Sequence, residues 1–437
     1  MNFHDWHPPE WLGVFGKAIA PTQDPRLRRG LRAFWANGVF ANLSENFVGN
    51  FVSLYALAYG ATNGQIALLS GVSNLAAVVG LWPGAQLAER VRKRKWLVVL
   101  SSVGGVQGAH LMLALLPFLL ARPSWLVAAI IALVSAKAFF GNFATPAWTA
   151  LSAELVPLTL RGRYFSARNF AMGLAALVAA PAAGLLIRIG GTPVGYQLAF
   201  LVATVFGLIA AAFYAIIPEP GPGQTQAEGA AEERLPLWCA LNAHPNFLTY
   251  CGTAFVWTLS IQVAAPFFNV YLVRGLYGTS ADVGWMILAT SLAGLLSQRW
   301  FGKLVDRRGT KWTMVLCGLL IPGIPFGWFF ATRPWHTYVL SAWGGFWWGG
   351  YNLAAFNFLL AILPEGQRAR FTALYQTVVF VSTIIGPLIG GFLVEQIGYR
   401  FIFLCSAVGR FSATLLLLRL VREPAEARPI SQVARAM

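Results

Sequence analysis

Two ionisable residues stand inside otherwise apolar stretches of this chain, Glu45 in NLSENFVGN and Lys137 in VSAKAFFGN. An acid in such a place can take up and release a proton, a base can hold an anion, and together they can neutralise each other. A charge near the centre of a bilayer costs at least about 2.5–3.5 kcal/mol, so each needs a reason. Counting about 12 residues inward from the flank of each stretch, at 1.5 Å per residue, sets both roughly 18 Å deep and at one level. Two readings stand side by side: a closed ion pair that only neutralises two costly charges, or a working pair in which Glu45 takes up a proton or Lys137 meets a substrate anion. Asn42, Asn46 and Asn50 recur at every fourth residue and share a helix face close to Glu45.

A second grouping is AWGGFWWGGYNLAAFNF, where glycines permit tight packing and Trp343, Trp347, Trp348, Tyr351, Asn352 and Asn357 offer flat faces and amides. Aromatic residues in a membrane helix more often pack or face lipid, so ligand binding and packing stay open for them. No His/Asp/Glu constellation suggests catalysis, and no G-x-x-x-x-G-K-S/T loop suggests nucleotide hydrolysis. The expectation is a protein that is not an enzyme and uses no metal or cofactor. His110 reads as a core histidine, and Cys239, Cys251, Cys317 and Cys405 have no metal spacing and read as packing residues.

The elements that must carry these residues follow from composition. The chain has 437 residues, 57% hydrophobic and only 11% charged, with mean hydropathy +0.61. Soluble domains carry about a quarter of their residues as charges, so water is not the main solvent here. Twelve apolar windows span 32–58, 64–88, 96–121, 124–152, 166–189, 194–217, 246–273, 281–305, 312–332, 336–363, 371–395 and 399–421. Each must be a helix, since backbone amides in lipid are satisfied within their own segment and the period-two alternation of a barrel is missing. The net charge of +16 sits in alternate loops: Arg90, Arg92, Lys93, Arg94 and Lys95; Arg161 and Arg163; Arg307, Arg308 and Lys311; Arg368 and Arg370. That bias predicts those loops and both termini in the cytoplasm and argues against nucleic acid as a partner; the expected location is the cell (inner or plasma) membrane.

The polar stretch IPEPGPGQTQAEGAAEERLPLW divides the windows six against six. The predicted organisation is a cytoplasmic segment 1–31, a six-helix bundle 32–217, a linker 218–245, a second bundle 246–421 and a tail 422–437. The halves echo each other: YGATNGQ at 59 with YGTSADV at 277, LAER at 87 with LVDR at 304, PLTLRGRYF at 157 with PEGQRARFT at 364, GYQLAFL at 195 with GYRFIFL at 398. Six is even, so the repeat is parallel, with its axis along the membrane normal. In that alignment Asn42 and Asn46 correspond to Thr258 and Gln262. Runs of small residues and proline, GLAALVAAPAAG and IIGPLIGG, occupy matched places and read as close-packed scaffold.

GKLVDRRGTK, at 302–311, fits the G-x-L-x-D-R-x-G-x-K/R loop of the major facilitator superfamily, with Gly302, Asp306, Arg307, Gly309 and Lys311 at the motif positions. The first-half copy is degraded, with Glu89 as the acid, Arg90 after it and Arg92 at the second glycine position. The chain thus resembles that family over nearly its whole length, and ELVPLTLRGRYFSARN resembles a pattern in bacterial members without an assigned substrate. There Arg168 and Asn169 would open the fifth helix and Glu154 could pair with Arg161. The resemblance implies an all-α membrane fold of twelve helices in two pseudo-symmetric six-helix bundles. It also implies secondary transport of a small solute by alternating access, with proton coupling resting on Glu45, and a monomer among membrane lipids. Helices 1, 4, 7 and 10 would line the cavity, with Asn42, Asn46, Lys137, Thr258, Gln262, Trp347, Asn352 and Asn357 as candidates. Glu89, Arg90, Arg161, Arg163 and the second-half motif would form a cytoplasmic gate. A transporter-like receptor, a lipid scramblase, or an enzyme on lipid-linked substrates are the alternatives.

Overall fold

A computed structural model of the chain describes residues 24–91, 93–120, 123–156, 158–218, 244–363 and 368–423. Twelve helical rods follow in order. α1 comprises Pro25–Val48 and Val52–Ala58; α2 is Asn63–Arg90; α3 comprises Arg94–Leu100, a π-helical Ser101–Gln107 and Gly108–Leu119; α4 comprises Pro123–Phe143 and Thr145–Leu155. α5 is Leu158–Gly190 and α6 Val194–Ile216; α7 comprises Pro245–Ala264 and Phe267–Arg274; α8 is Ser280–Arg308. α9 comprises Thr310–Leu320 and Gly323–Phe330, α10 is Pro334–Ile362, and a continuous Arg368–Leu420 is divided at Gly398 (φ 80°) into α11 (368–397) and α12 (399–420). Nine segments among the described residues are long and apolar enough to cross a membrane by length and composition, one of them containing both α11 and α12.

The repeated turns have local causes. Thr62 and Gln65 form a reciprocal capping box that starts α2, and the Asp282 carboxylate accepts from Thr279 to start α8. Gly309, at φ 90°, ends α8 and begins α9 in one residue, a conformation that a side chain would strain. The first-half turn lacks that glycine. There Val91 is extended, and Arg94 Nε reaches back 3.0 Å to the carbonyl of Ala88, capping the end of α2.

Two expectations change. α5 begins at Leu158, so the stretch read as a basic loop forms the first turns of a helix, and Arg168 lies buried within it. Glu154 pairs with Arg94 at 2.7 Å, whereas the side chain of Arg161 lies outside the described residues.

Within each bundle, glycines bring backbones together as small residues do in lipid. A Cβ on Gly80 of α2 would stand 2.5 Å from the Phe139 carbonyl of α4. Between bundles, α5 packs on α8 and α2 on α11. A Cβ on Gly184 would be 2.5 Å from the Ser280 carbonyl, one on Gly284 would be 2.8 Å from Pro181 Cα, and Gly391 abuts Ala67. The small-residue runs of α5 and α11 therefore lie on the seam between the halves.

Candidate functional site

Lys137 Nζ of α4 donates to Glu45 Oε1 of α1 at 2.8 Å. The lysine side chain is 14% exposed and the glutamate 54%, so the pair is not sealed: its carboxylate faces open space. Glu45 stands one turn before the interruption of α1 at Gly49–Phe51, and a Cβ on Gly49 would come within 2.8 Å of the carboxylate oxygen. The glycine thus leaves room for the carboxylate beside the helix. The pair borders a cavity of about 360 Å³ between the bundles, with Ser73 and Asn74 of α2, Gln262 of α7 and Pro387 of α11 on its walls. Such an arrangement can trade a proton: neutralising Glu45 would release Lys137 as an unpaired cation.

Of the other candidates, Thr258 and Asn352 border a separate cavity of about 310 Å³ inside the C-terminal bundle. Thr258 and Gln262 are one turn apart on α7, so one helix borders both cavities. Asn46 Nδ2 donates to Asn42 Oδ1 at 3.0 Å and to its carbonyl at 2.9 Å, so these two amides bind each other along α1. Trp347 packs on Phe301, Trp343 and Phe346, with its indole nitrogen buried and unpartnered among the described residues. Neither Trp347 nor Asn357 borders either cavity; the neighbouring Trp348 does.

The charged motif lies at the end of the molecule where α2 and α8 finish, here the basic end. Asp306 and Arg307 are exposed there, and a Cβ on Gly302 would meet nothing within 4 Å, so in this conformation no backbone approaches that glycine. Lys311 acts within one bundle, its Nζ donating to the Leu418 carbonyl at 3.0 Å near the end of α12. Lys95 does the same at the end of α6, donating to the Ile217 carbonyl at 3.1 Å. A cation at a helix C-terminus is favoured by the dipole, so part of the repeated charge fastens helices rather than the gate. Arg90 is exposed; the side chains of Glu89, Arg161 and Arg163 lie outside the described residues.

The opposite, far end is tied between bundles. Asn63 Oδ1 accepts from Arg274 at 3.1 Å and from Tyr399 at 2.5 Å, and Arg274 also donates to the Ala61 carbonyl at 2.8 Å. Asn269 donates to the Asn50 carbonyl, Ser280 to the Gly184 carbonyl, and Asn74, deeper in, to the Thr383 carbonyl. Every hydrogen bond between the bundles among the described residues lies from the middle of the molecule to this far end. Among the described residues, the two bundles are thus hydrogen-bonded to each other toward the far end.

Sequence reading missed several groups that left a signal. Ser70, Ser73 and Asn74 form a polar stripe at helical spacing on α2, and all three border the cavity of Glu45. Arg168, 6% exposed, sits over the rings of Phe34 and Trp148 at 4.6 and 5.7 Å, in space that a Cβ on Gly38 would occupy. Arg410, in the middle of α12, is 3% exposed; a lone base between apolar residues announced it as clearly as Lys137.

The sequence model described as Major Facilitator Superfamily matches residues 34–276 and 247–435. An uncharacterised MFS-type transporter of Methanocaldococcus jannaschii is 23% identical over 393 residues, 88% of this chain and 96% of that one. In fold, the chain is similar to a bacterial homologue of the human lysosomal transporter Spinster, solved inward-facing and unoccupied, with TM-score 0.66 and 15% identity, covering 92% of this chain and all of that one. It is also similar to a D-xylose–proton symporter, with TM-score 0.67 and 13% identity, covering 94% and 99% of the two chains. At such identities the structural likeness speaks for the fold alone.

Proposed function

This chain belongs to the major facilitator superfamily, and we propose that it is a secondary transporter carrying a small solute across the plasma membrane by alternating access. One observation carries the reading: among the described residues, the hydrogen bonds between the bundles gather from the middle of the molecule to the far end. An interface made at one end of two equivalent bundles is half of a rocking cycle. The distribution of arginine and lysine supports placing the basic end and both termini in the cytoplasm, and in that orientation this is the inward-facing state. The transporter works as a monomer.

Glu45 is the proton-coupling group. Its half-exposed carboxylate is reachable by solvent, and its protonation frees Lys137 at the level where the bundles meet. Thr258 and Asn352 supply polar contacts to the solute, and Gln262, one turn from Thr258, faces the cavity of the charged pair. Asp306 and its neighbouring bases form the inner gate in the opposite state, where Gly302 permits the close approach that is missing here.

The cycle can be tested without knowing the solute. In a chain whose cysteines are replaced by serine, Ser53→Cys places a thiol on the cavity of Glu45. In oriented vesicles an impermeant maleimide should label it from both sides, and a cross-link between Gly64→Cys and Glu395→Cys should abolish labelling from the far side. A Cβ at 64 already comes within 3.4 Å of the Glu395 carboxylate. Labelling from the basic side alone, with or without the cross-link, identifies a static receptor and refutes transport. For the coupling, Glu45→Gln should remove the proton dependence of flux while exchange continues; unchanged proton dependence moves the role elsewhere.

A further inference from the structure

The two cavities differ in chemistry. None of the seventeen residues bordering the C-terminal chamber is Asp, Glu, Lys, Arg or His, whereas the cavity between the bundles holds an acid and a base. Rings stack along the chamber in pairs, Trp257 on Tyr351 at 4.6 Å and Tyr250 on Tyr375 at 5.6 Å, with Trp348 edge-on to Tyr351. Tyr250, Trp257 and Tyr351 are 1%, 7% and 8% exposed, so this wall is built before anything binds.

Polar groups stand along the same chamber. Thr253 and Thr414 spend their hydroxyls on backbone carbonyls. Thr258, Asn352 and Gln376 make no side-chain hydrogen bond among the described residues, and Asn352 and Gln376 are exposed. Flat apolar walls with free amides suit a ring that is apolar on its face and polar on its edge. An ion would find no charged side chain among the residues that border the chamber, and an unpaired charge is costly wherever water is excluded. The volume of about 310 Å³ lies near the lower limit of small-molecule pockets, the size for one ring or two fused rings.

We propose that this chamber is the substrate site and takes an uncharged ring compound bearing hydroxyl or amide groups, while the Glu45–Lys137 pair serves coupling and leaves substrate recognition alone. The assignment rests on the transport reading and adds the division of labour: rings and amides in the C-terminal bundle, charge where the bundles meet. α7 joins them, with Thr258 on the chamber and Gln262 one turn away on the cavity of the pair.

The test uses the purified full chain and three matched probe pairs: uridine, adenosine and D-glucose, each against its monophosphate, with tetramethylammonium as a cation. Thermal shift and tryptophan fluorescence are read together. At least one neutral probe should bind, its phosphate at least about tenfold more weakly, and Asn352→Ala and Gln376→Ala should each weaken binding about tenfold, the loss of one hydrogen bond. Both variants should melt as the parent does without ligand, because neither amide makes a side-chain hydrogen bond among the described residues. Glu45→Gln should leave affinity unchanged. The assignment is overturned if no neutral probe binds, if a phosphate or tetramethylammonium binds as well as the neutral probes, or if Glu45→Gln abolishes binding. Two-sided labelling of Ser53→Cys is independent of these outcomes, so the substrate class can fall while transport stands.

Discussion

Asn63→Ala should open the far end. The Asn63 side-chain oxygen takes one hydrogen bond from Arg274 and one from Tyr399, both across the bundle interface. A bond to a charged donor contributes about 1.5–3 kcal/mol and a neutral one about 1 kcal/mol. Asn63 and Arg274 meet at an exposed position, so the charged bond is discounted to about 1 kcal/mol for solvent screening. Arg274 also keeps its bond to the Ala61 carbonyl, which the substitution leaves in place. The combined loss is about 2 kcal/mol, borne only by the state closed at the far end. At 1.4 kcal/mol per factor of ten, the ratio of far-end-open to far-end-closed molecules should rise about 30-fold. The assay is the rate at which the impermeant maleimide labels Ser53→Cys from the far side of oriented vesicles. It should rise by more than tenfold, while labelling from the basic side falls. An unchanged rate in a chain that melts as the parent does would refute the claim that these bonds hold the far end shut.

Gly302→Ala should leave melting unchanged, because an added methyl meets nothing within 4 Å in this state, yet should slow the labelling cycle if the opposite state packs a backbone there. Gly80→Ala, whose methyl would stand 2.5 Å from the Phe139 carbonyl, should destabilise by about 1–3 kcal/mol in thermal unfolding. Glu45→Ala should cost less than the 3–5 kcal/mol typical of a broken buried pair, about 1–2 kcal/mol, since the glutamate is 54% exposed; Glu45→Ala/Lys137→Ala should recover part of it. Arg168→Leu should lower the melting temperature through the lost contacts with Phe34 and Trp148, and adding Gly38→Ala should offset part of the loss by filling the space of the missing guanidinium.

Twelve rods, their order and the parallel repeat were legible in the chain, because a backbone in lipid that lacks the alternation of a barrel must be helical and hydropathy marks the length of each helix. α1 and α10 are the rods missing from the segments that pass the hydropathy test. Each carries amides or charges, and polar residues on cavity helices lower the very quantity that reveals a span. Glu45 and Lys137 were legible as a level pair, since depth follows from counting residues at a fixed rise. The polar stripe of α2 and the buried Arg410 were equally countable and went unread.

Tertiary structure alone decided the rest. Trp347 and Trp348 are adjacent in sequence, yet one packs inside its bundle and the other borders a cavity, a difference of about 100° around a helix that only neighbouring helices settle. The roles of Lys95 and Lys311 depended on which carbonyls ended nearby, at positions 217 and 418. Composition and periodicity constrain what each segment must be, because they act residue by residue against a common solvent. Which end is shut is a property of contacts such as those of Asn63 with residues more than 200 positions away, and a linear pattern holds no record of distance across a bundle.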